Sequence, residues 1–239
     1  DIVADYMKKI SEITGREYAP FTYYGASDAE RVIVAMGSVT EAAKETIDAL
    51  TAAGEKVGMI KVHLYRPFSV KYLLAVLPET VKKIAVLDRT KETGSMGEPL
   101  YLDILSALKD KDIEIIGGRY GMGSKDTQPY HIKAVFDELK KDEMKNSFTI
   151  GIVDDVTNLS LEADSNFHVP ADYTSCLFWG LGSDGTVSAN KSTVKIIGDN
   201  TDQYAQAYFA YDSKKRRWCY PFSPCRFGNS PIQFHLLYR

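Results

Sequence analysis

Val32-Ile33-Val34-Ala35-Met36-Gly37-Ser38 is an apolar run without alternation, closed by a Gly-Ser turn. Helical periodicity follows over residues 41–53, then Gly54, then a second apolar run over 57–64. A strand that is apolar on both faces must be covered on both faces, and a helix between two such strands carries the chain back to start the next one in parallel. This stretch is therefore a β-α-β unit, and the pattern repeats downstream. A helix is expected near 70–77, a strand at 84–87, a turn-rich segment at 88–97, a helix at 101–108, a strand at 113–116 and a helix at 129–139. Such alternation predicts an open, doubly wound, mostly parallel α/β sheet over residues 1–147, with ligands expected at the carboxyl ends of its strands. Upstream lie an amphipathic helix at 2–13, a polar turn and Tyr18-Ala19-Pro20-Phe21.

Beyond Phe148 the periodicity fades into Asp154-Asp155, Asn158, Glu162-Ala163-Asp164-Ser165-Asn166 and Pro170, which reads as a linker over 148–173. A second β-α-β unit starts at Thr174. With about 65 residues left it is too short for a complete doubly wound domain, so residues 174–239 read as the first part of one. The chain opens on Asp1, not Met, which fits a piece of something longer.

Composition excludes more than it assigns. Of 239 residues, 44% are hydrophobic and 26% charged, which is ordinary for globular protein, and the formal net charge is −3. No basic face recommends nucleic acid as a partner. No run of about 18 apolar residues and no signal peptide is present, so the expectation is a cytoplasmic chain without a membrane segment. Cys176 falls in an apolar strand, where cysteine is usually a small buried filler. Cys219 and Cys225 lack metal-ligand spacing, and His63, His131, His168 and His235 are scattered without a triad or zinc pattern.

The chemistry-bearing motif is Cys176-Leu177-Phe178-Trp179-Gly180-Leu181-Gly182-Ser183-Asp184-Gly185-Thr186-Val187, an apolar strand running into G-x-G-x-x-G and then a helix. Glycines let backbone approach an anion closely, and the first amides of the helix turn their partial positive charge toward it. The bland alternative is close packing of helix on strand. Asp184 suits the holding of loop amides better than chemistry, since Asp commonly bonds an N–H two residues on. The next strand, Ala207-Tyr208-Phe209-Ala210-Tyr211, leads into Asp212-Ser213-Lys214-Lys215, placing two ammonium groups at the same sheet edge. Asp212 is a candidate for a ribose hydroxyl, yet the lysines beside it favour a ligand with extra phosphate, a 3′-phosphoadenosine or NADP-like group. A solvated turn is the plain alternative. Asp88, Arg89 and Glu92, at a strand end, suit either a substrate, a neighbouring domain or a structural ion-pair network. Gly117-Gly118-Arg119-Tyr120-Gly121-Met122-Gly123 reads as a glycine-rich docking loop, and Arg66-Pro67-Phe68 as a helix start with proline in its first turn.

Several segments together resemble one family. They are the run from Asp28 to Ser38, Leu64-Tyr65-Arg66-Pro67-Phe68, Val86-Leu87-Asp88-Arg89-Thr90-Lys91-Glu92, Gly118-Arg119-Tyr120-Gly121, and Phe178 to Val187. The chain resembles pyruvate:ferredoxin (flavodoxin) oxidoreductase from its first residue to about Lys215. The resemblance implies an internal piece, roughly a fifth of a long enzyme that decarboxylates pyruvate oxidatively to acetyl-CoA and passes electrons to ferredoxin or flavodoxin. It implies a domain like the carboxyl-terminal domain of transketolases (domain II), followed by the start of a gamma-like domain (domain III). Thiamine diphosphate and [4Fe–4S] clusters are implied for the whole enzyme, at sites outside this chain, and the family is commonly homodimeric. It further implies that Gly182, Ser183, Asp184, Gly185 and Thr186 contact coenzyme A and that Lys214 assists. No catalytic residue and no metal ligand is implied within the chain. The alternatives are a stand-alone NAD(P)-binding α/β module with Asp212 on the ribose, and a structural interaction domain whose glycines only permit packing.

One segment departs from the family pattern. After Lys215 the pattern is lost, returns at Arg226-Phe227-Gly228 and Pro231-Ile232-Gln233, and is lost again at Phe234. Compensating reading-frame shifts produce this signature. Residues 216–225 and 234–239 are therefore read as out of frame, with Cys219, Cys225 and His235 carrying no functional information; an intact coding sequence there would overturn this.

Overall fold

A computed structural model describes residues 1–154, 156–170, 173–180, 184–207, 222–230 and 232. The chain divides into two compact units, 1–169 and 170–239.

The first unit begins with α1 (Ile2–Thr14), followed by β1 (Phe21–Gly25), β2 (Arg31–Met36), α2 (Val39–Ala52) and β3 (Val57–Val62). Then come α3 (Val70–Val76), β4 (Lys83–Asp88), α4 (Pro99–Ala107), β5 (Glu114–Arg119), α5 (Pro129–Glu138) and β6 (Phe148–Thr149). The strand order is β1-β3-β2-β4-β5-β6; all neighbours are parallel except β1, which pairs antiparallel with β3. This is the open, mostly parallel α/β sheet expected from the alternation. Its central strands are apolar throughout because they are covered on both faces: Val32, Ile33, Val34, Ile84, Ala85 and Val86 are fully buried. Phe21, Leu73, Leu100 and Ile104 pack over them from flanking elements.

Four details differ from the sequence reading. β1 is an additional strand, made of Phe21-Thr22-Tyr23-Tyr24-Gly25, whose aromatic and β-branched residues suit a sheet edge. β5 runs on through Gly117, Gly118 and Arg119, the start of the expected loop, because its glycines leave room for the Tyr101 and Phe148 rings, which lie where a Cβ would stand. Pro67 follows a cis peptide bond in a turn, and α3 starts only at Val70, so this proline does not open the helix. Residues 148–149 form the edge strand of the sheet, and Leu161 N–H reaches the Thr149 carbonyl at 3.0 Å, so much of the segment read as a linker lies against the first unit.

The second unit contains β7 (Tyr173–Trp179), α6 (Thr186–Asn200), β8 (Tyr204–Ala207) and β9 (Phe222–Gly228). The order is β7-β9-β8, with β9 antiparallel to both, so β7 and β8 run parallel with a strand between them. Cys176 is exposed, contrary to the expectation of a buried filler, since β7 is an edge strand and its residues 174–176 are uncovered. Among the described residues no helix is long and apolar enough to cross a membrane.

Candidate functional site

The expected cradle lies where β7 turns into α6. Gly180 follows the strand, and a Cβ there would collide with the Thr186 and Asp184 side chains, so the start of α6 lies close against a position that only glycine fills. Gly185 is the residue before α6 and adopts φ +86°, the left-handed region that favours glycine. Between them, the Asp184 Oδ1 accepts the Thr186 backbone N–H at 3.1 Å and the Thr186 hydroxyl at 2.7 Å. Asp184 thus holds a loop amide, as its position suggested. This carboxylate already neutralises part of the helix N-terminus, so an anion approaching α6 meets a negative charge beside the positive end of the helix. Asp184, Gly185 and Thr186 are brought together; Gly182, Ser183, Asp212 and Lys214 lie outside the described residues.

At the carboxyl edge of the first sheet, Asp88, Arg89 and Glu92 are not gathered into one cluster. Asp88 is buried at the end of β4, and its two oxygens each accept one backbone N–H, from Leu100 and Tyr101, both at 3.1 Å. It therefore caps α4, whose first residue, Pro99, has no N–H to cap. Burial pushes the Asp88 carboxyl above the usual carboxylate range; the two amides pull it back, and the charges of Glu98 and Asp103 add to the rise. Arg89 packs against the backbone of Gly121, and Glu92 is exposed.

The pair that sequence reasoning missed is Glu98 and Arg119. The Arg119 Nε donates to Glu98 Oε1 at 2.6 Å, Glu98 is 2% exposed, and Arg119 Nη1 reaches the Ser147 carbonyl at 3.1 Å. Asn146 completes the arrangement: its Oδ1 accepts N–H groups of Gly117 and Ser147, and its Nδ2 donates to the Tyr101 hydroxyl. Nearby, the Tyr120 hydroxyl donates to the Met36 carbonyl at 3.2 Å, tying the end of β5 to that of β2. These polar groups, Glu98, Tyr101 and Tyr120 buried among them, are engaged in fixing strand ends and loop starts. Their chemistry is positional.

A cleft of about 930 Å³ opens between α5 and residues 151–165, bordered by Tyr130, His131, Glu138, Lys141, Lys145 and Ser160. His131 sits in the first turn of α5, where its Nδ1 accepts the Gln128 N–H at 3.0 Å while the Gln128 side chain accepts the His131 N–H. Burial lowers its pKa from 6.5 to about 4, so the ring is neutral at physiological pH. Several charged groups along this cleft are paired, Lys141 with Glu138 and Asp137 with Lys133 and Lys140. Among the described residues no group of three His, Cys, Asp or Glu side chains is placed to hold a metal ion.

A mostly parallel α/β sheet whose polar network organises its carboxyl edge, followed by a second α/β unit with a glycine turn at a helix start, defines a two-unit α/β chain built from β-α-β repeats. Residues 29–132 match the family described as pyruvate:ferredoxin oxidoreductase core domain II. Over 98% of its length the chain is 56% identical to the pyruvate-flavodoxin oxidoreductase of Enterobacter agglomerans, of which it covers 20%. It is likewise 56% identical over 97% of its length to the pyruvate:ferredoxin oxidoreductase of Moorella thermoacetica, again covering 20%. Among solved structures, a 2-oxoglutarate:ferredoxin oxidoreductase from Magnetococcus marinus aligns with 56% of the chain and 22% of its own, at 19% identity and a TM-score of 0.37. Along nearly its whole length the chain is similar to pyruvate-flavodoxin and pyruvate:ferredoxin oxidoreductases, and it spans about a fifth of the length of the curated relatives it matches.

Proposed function

We propose that this chain is an internal part of a longer cytoplasmic enzyme that converts pyruvate and coenzyme A to acetyl-CoA, carbon dioxide, one proton and two electrons, the electrons passing to ferredoxin or flavodoxin. The observation that carries this is the 56% identity to a pyruvate-flavodoxin oxidoreductase along nearly the whole chain. Identity at that level, sustained across two structural units, reflects a shared arrangement and not a single shared motif.

Within that enzyme the first unit organises its carboxyl-edge loops for contact with the remaining domains, and the second contributes to coenzyme A binding. Gly182, Ser183, Asp184, Gly185 and Thr186 form the loop, and Lys214 supplies a positive charge to the phosphates. What supports this is the glycine turn at the start of α6, with Gly185 at φ +86°. Asp184 already occupies the Thr186 amide, so in this proposal the phosphate is assigned to Gly182, Ser183 and Lys214 and not to that amide. Thiamine diphosphate and [4Fe–4S] clusters supply carbanion stabilisation and electron transfer when bound. Both groups are assigned by this proposal to other domains of the polypeptide. A homodimer is the assembly proposed for the whole.

Calorimetric titration tests the site. Coenzyme A is expected to bind, and dephospho-coenzyme A and NADPH to bind at least about tenfold more weakly. Tighter binding of NADPH would instead select the NAD(P)-module reading, and replacing Lys214 by alanine without loss of coenzyme A affinity would remove Lys214 from the site.

A further inference from the structure

α1 is amphipathic in the wrong direction for the unit it belongs to. At about 100° per residue, Ile2, Tyr6, Ile10 and Ile13 fall on one stripe, while Ala4, Met7 and Ser11 lie roughly opposite. The half-buried residues are Ala4, Met7 and Ser11. The apolar stripe faces outward: Ile2 is 75% exposed, Tyr6 60%, Ile10 45% and Ile13 83%, and no residue of the helix is buried. Polar ties hold it at both ends. The Tyr72 hydroxyl donates to Asp1 at 3.3 Å, and the Tyr18 N–H donates to the Ser11 hydroxyl at 2.8 Å. A helix of 13 residues is marginal in water on its own, and most of its stability must come from burying an apolar face. Here the face that would supply it is bare.

We propose that the Ile2-Tyr6-Ile10-Ile13 stripe is a docking surface for a segment of the same longer polypeptide lying outside residues 1–239, and that docking is what holds α1 helical. This rests on the place proposed above for the chain within a longer enzyme, and not on the coenzyme A site. Relatives that match 97–98% of the chain are about five times its length, so four-fifths of such a polypeptide is available to cover the stripe. Lys9 flanks the stripe, with its ammonium 4.9 Å from the centre of the Tyr6 ring. The occupant is accordingly an apolar surface with a carboxylate placed to meet Lys9.

The test compares amide hydrogen exchange of residues 2–14 in the longer polypeptide and in the 1–239 chain, each verified by intact mass. Exchange is expected to be at least about tenfold slower in the longer polypeptide. Ile10→Asp there should abolish the difference, Ile10→Val should keep it, and exchange in β2 to β5 should stay unchanged in both. Lysine cross-linking from Lys8 and Lys9 should reach residues outside 1–239. Equal exchange in the two proteins, or protection that survives Ile10→Asp, overturns the proposal. Protection that grows with concentration in the 1–239 chain overturns it in favour of a second copy. Coenzyme A titration of the same longer polypeptide separates the two ideas, because loss of α1 protection with coenzyme A binding intact sinks this inference alone. A gene product ending at Arg239 sinks both.

Discussion

Asp88 shows how a charged residue at the usual location of a ligand site can be spent on architecture. It is buried, and each oxygen meets one backbone N–H at the start of α4. Asp88→Asn keeps the shape but turns one oxygen into an N–H donor facing another donor, at a cost of about 1–3 kcal/mol. A urea midpoint followed by circular dichroism measures this, and an unchanged midpoint would mean that the cap contributes nothing. His131 makes a pH prediction. Its pKa falls from 6.5 to about 4 on folding, so between those values the unfolded chain binds a proton that the folded chain refuses. The stability that neutral His131 contributes is complete above pH 6.5 and is lost as pH falls toward 4. With the ring partly exposed, the loss is discounted to about 1–2 kcal/mol across the window. His131→Leu lowers stability at pH 7 by removing a cap partner, yet it should flatten the pH slope between 6.5 and 4. An equal slope in the variant would assign the titration elsewhere.

At the scale of elements, legibility followed the strength of the periodic signal. The unalternating runs that became β2, β3 and β4 announce burial on both faces, and the helices between them follow the 3.6-residue pattern, so the order of the first unit could be read directly. The short edge strand β1 lacks such a run, and the glycines of β5 imitate a loop. What keeps Gly117 and Gly118 in a strand is the pair of rings packed on them, which no local rule displays. The site shows the same division. Asp184 bonding Thr186 is a two-residue relationship and was legible; Asp88 with Leu100, or Glu98 with Arg119, joins residues brought together only by the sheet. Gly118 carries a direct test. A methyl group there enters the space of the fully buried Phe148 ring, which cannot swing into solvent. Gly118→Ala should cost about 1–3 kcal/mol by overpacking and should release β6. Hydrogen exchange at Thr149 and Ile150, which bond to Leu159 and Arg119 carbonyls, should then accelerate well before the rest of the sheet. Acceleration uniform across β2 to β6 would show that the strain is not local to this edge.

For the whole molecule the decisive contrast is in how much the described residues of each unit bury. The first unit closes a continuous apolar core, whereas among the described residues of the second unit Cys225 is the one buried apolar side chain. Apolar burial is the main favourable term in folding, so the second unit should open far more often than the first. Near the end of the first unit, Val153 and Val156 are 92% and 84% exposed and offer thermolysin entry points. Limited thermolysin digestion of the chain should therefore leave a resistant fragment containing β1 to β5, while α6 and β7 disappear at least about tenfold faster. The same digestion reports on the ligand. A compound that binds only the folded second unit, supplied at about 100 times its dissociation constant, lowers the open population by roughly 100-fold, or about 2.7 kcal/mol. Coenzyme A should slow the loss of α6 by up to that factor and leave the first unit's rate unchanged. Slowing by NADPH but not coenzyme A would reassign the glycine turn to a dinucleotide. With neither ligand having any effect, the turn at Gly180 and Gly185 would serve packing alone.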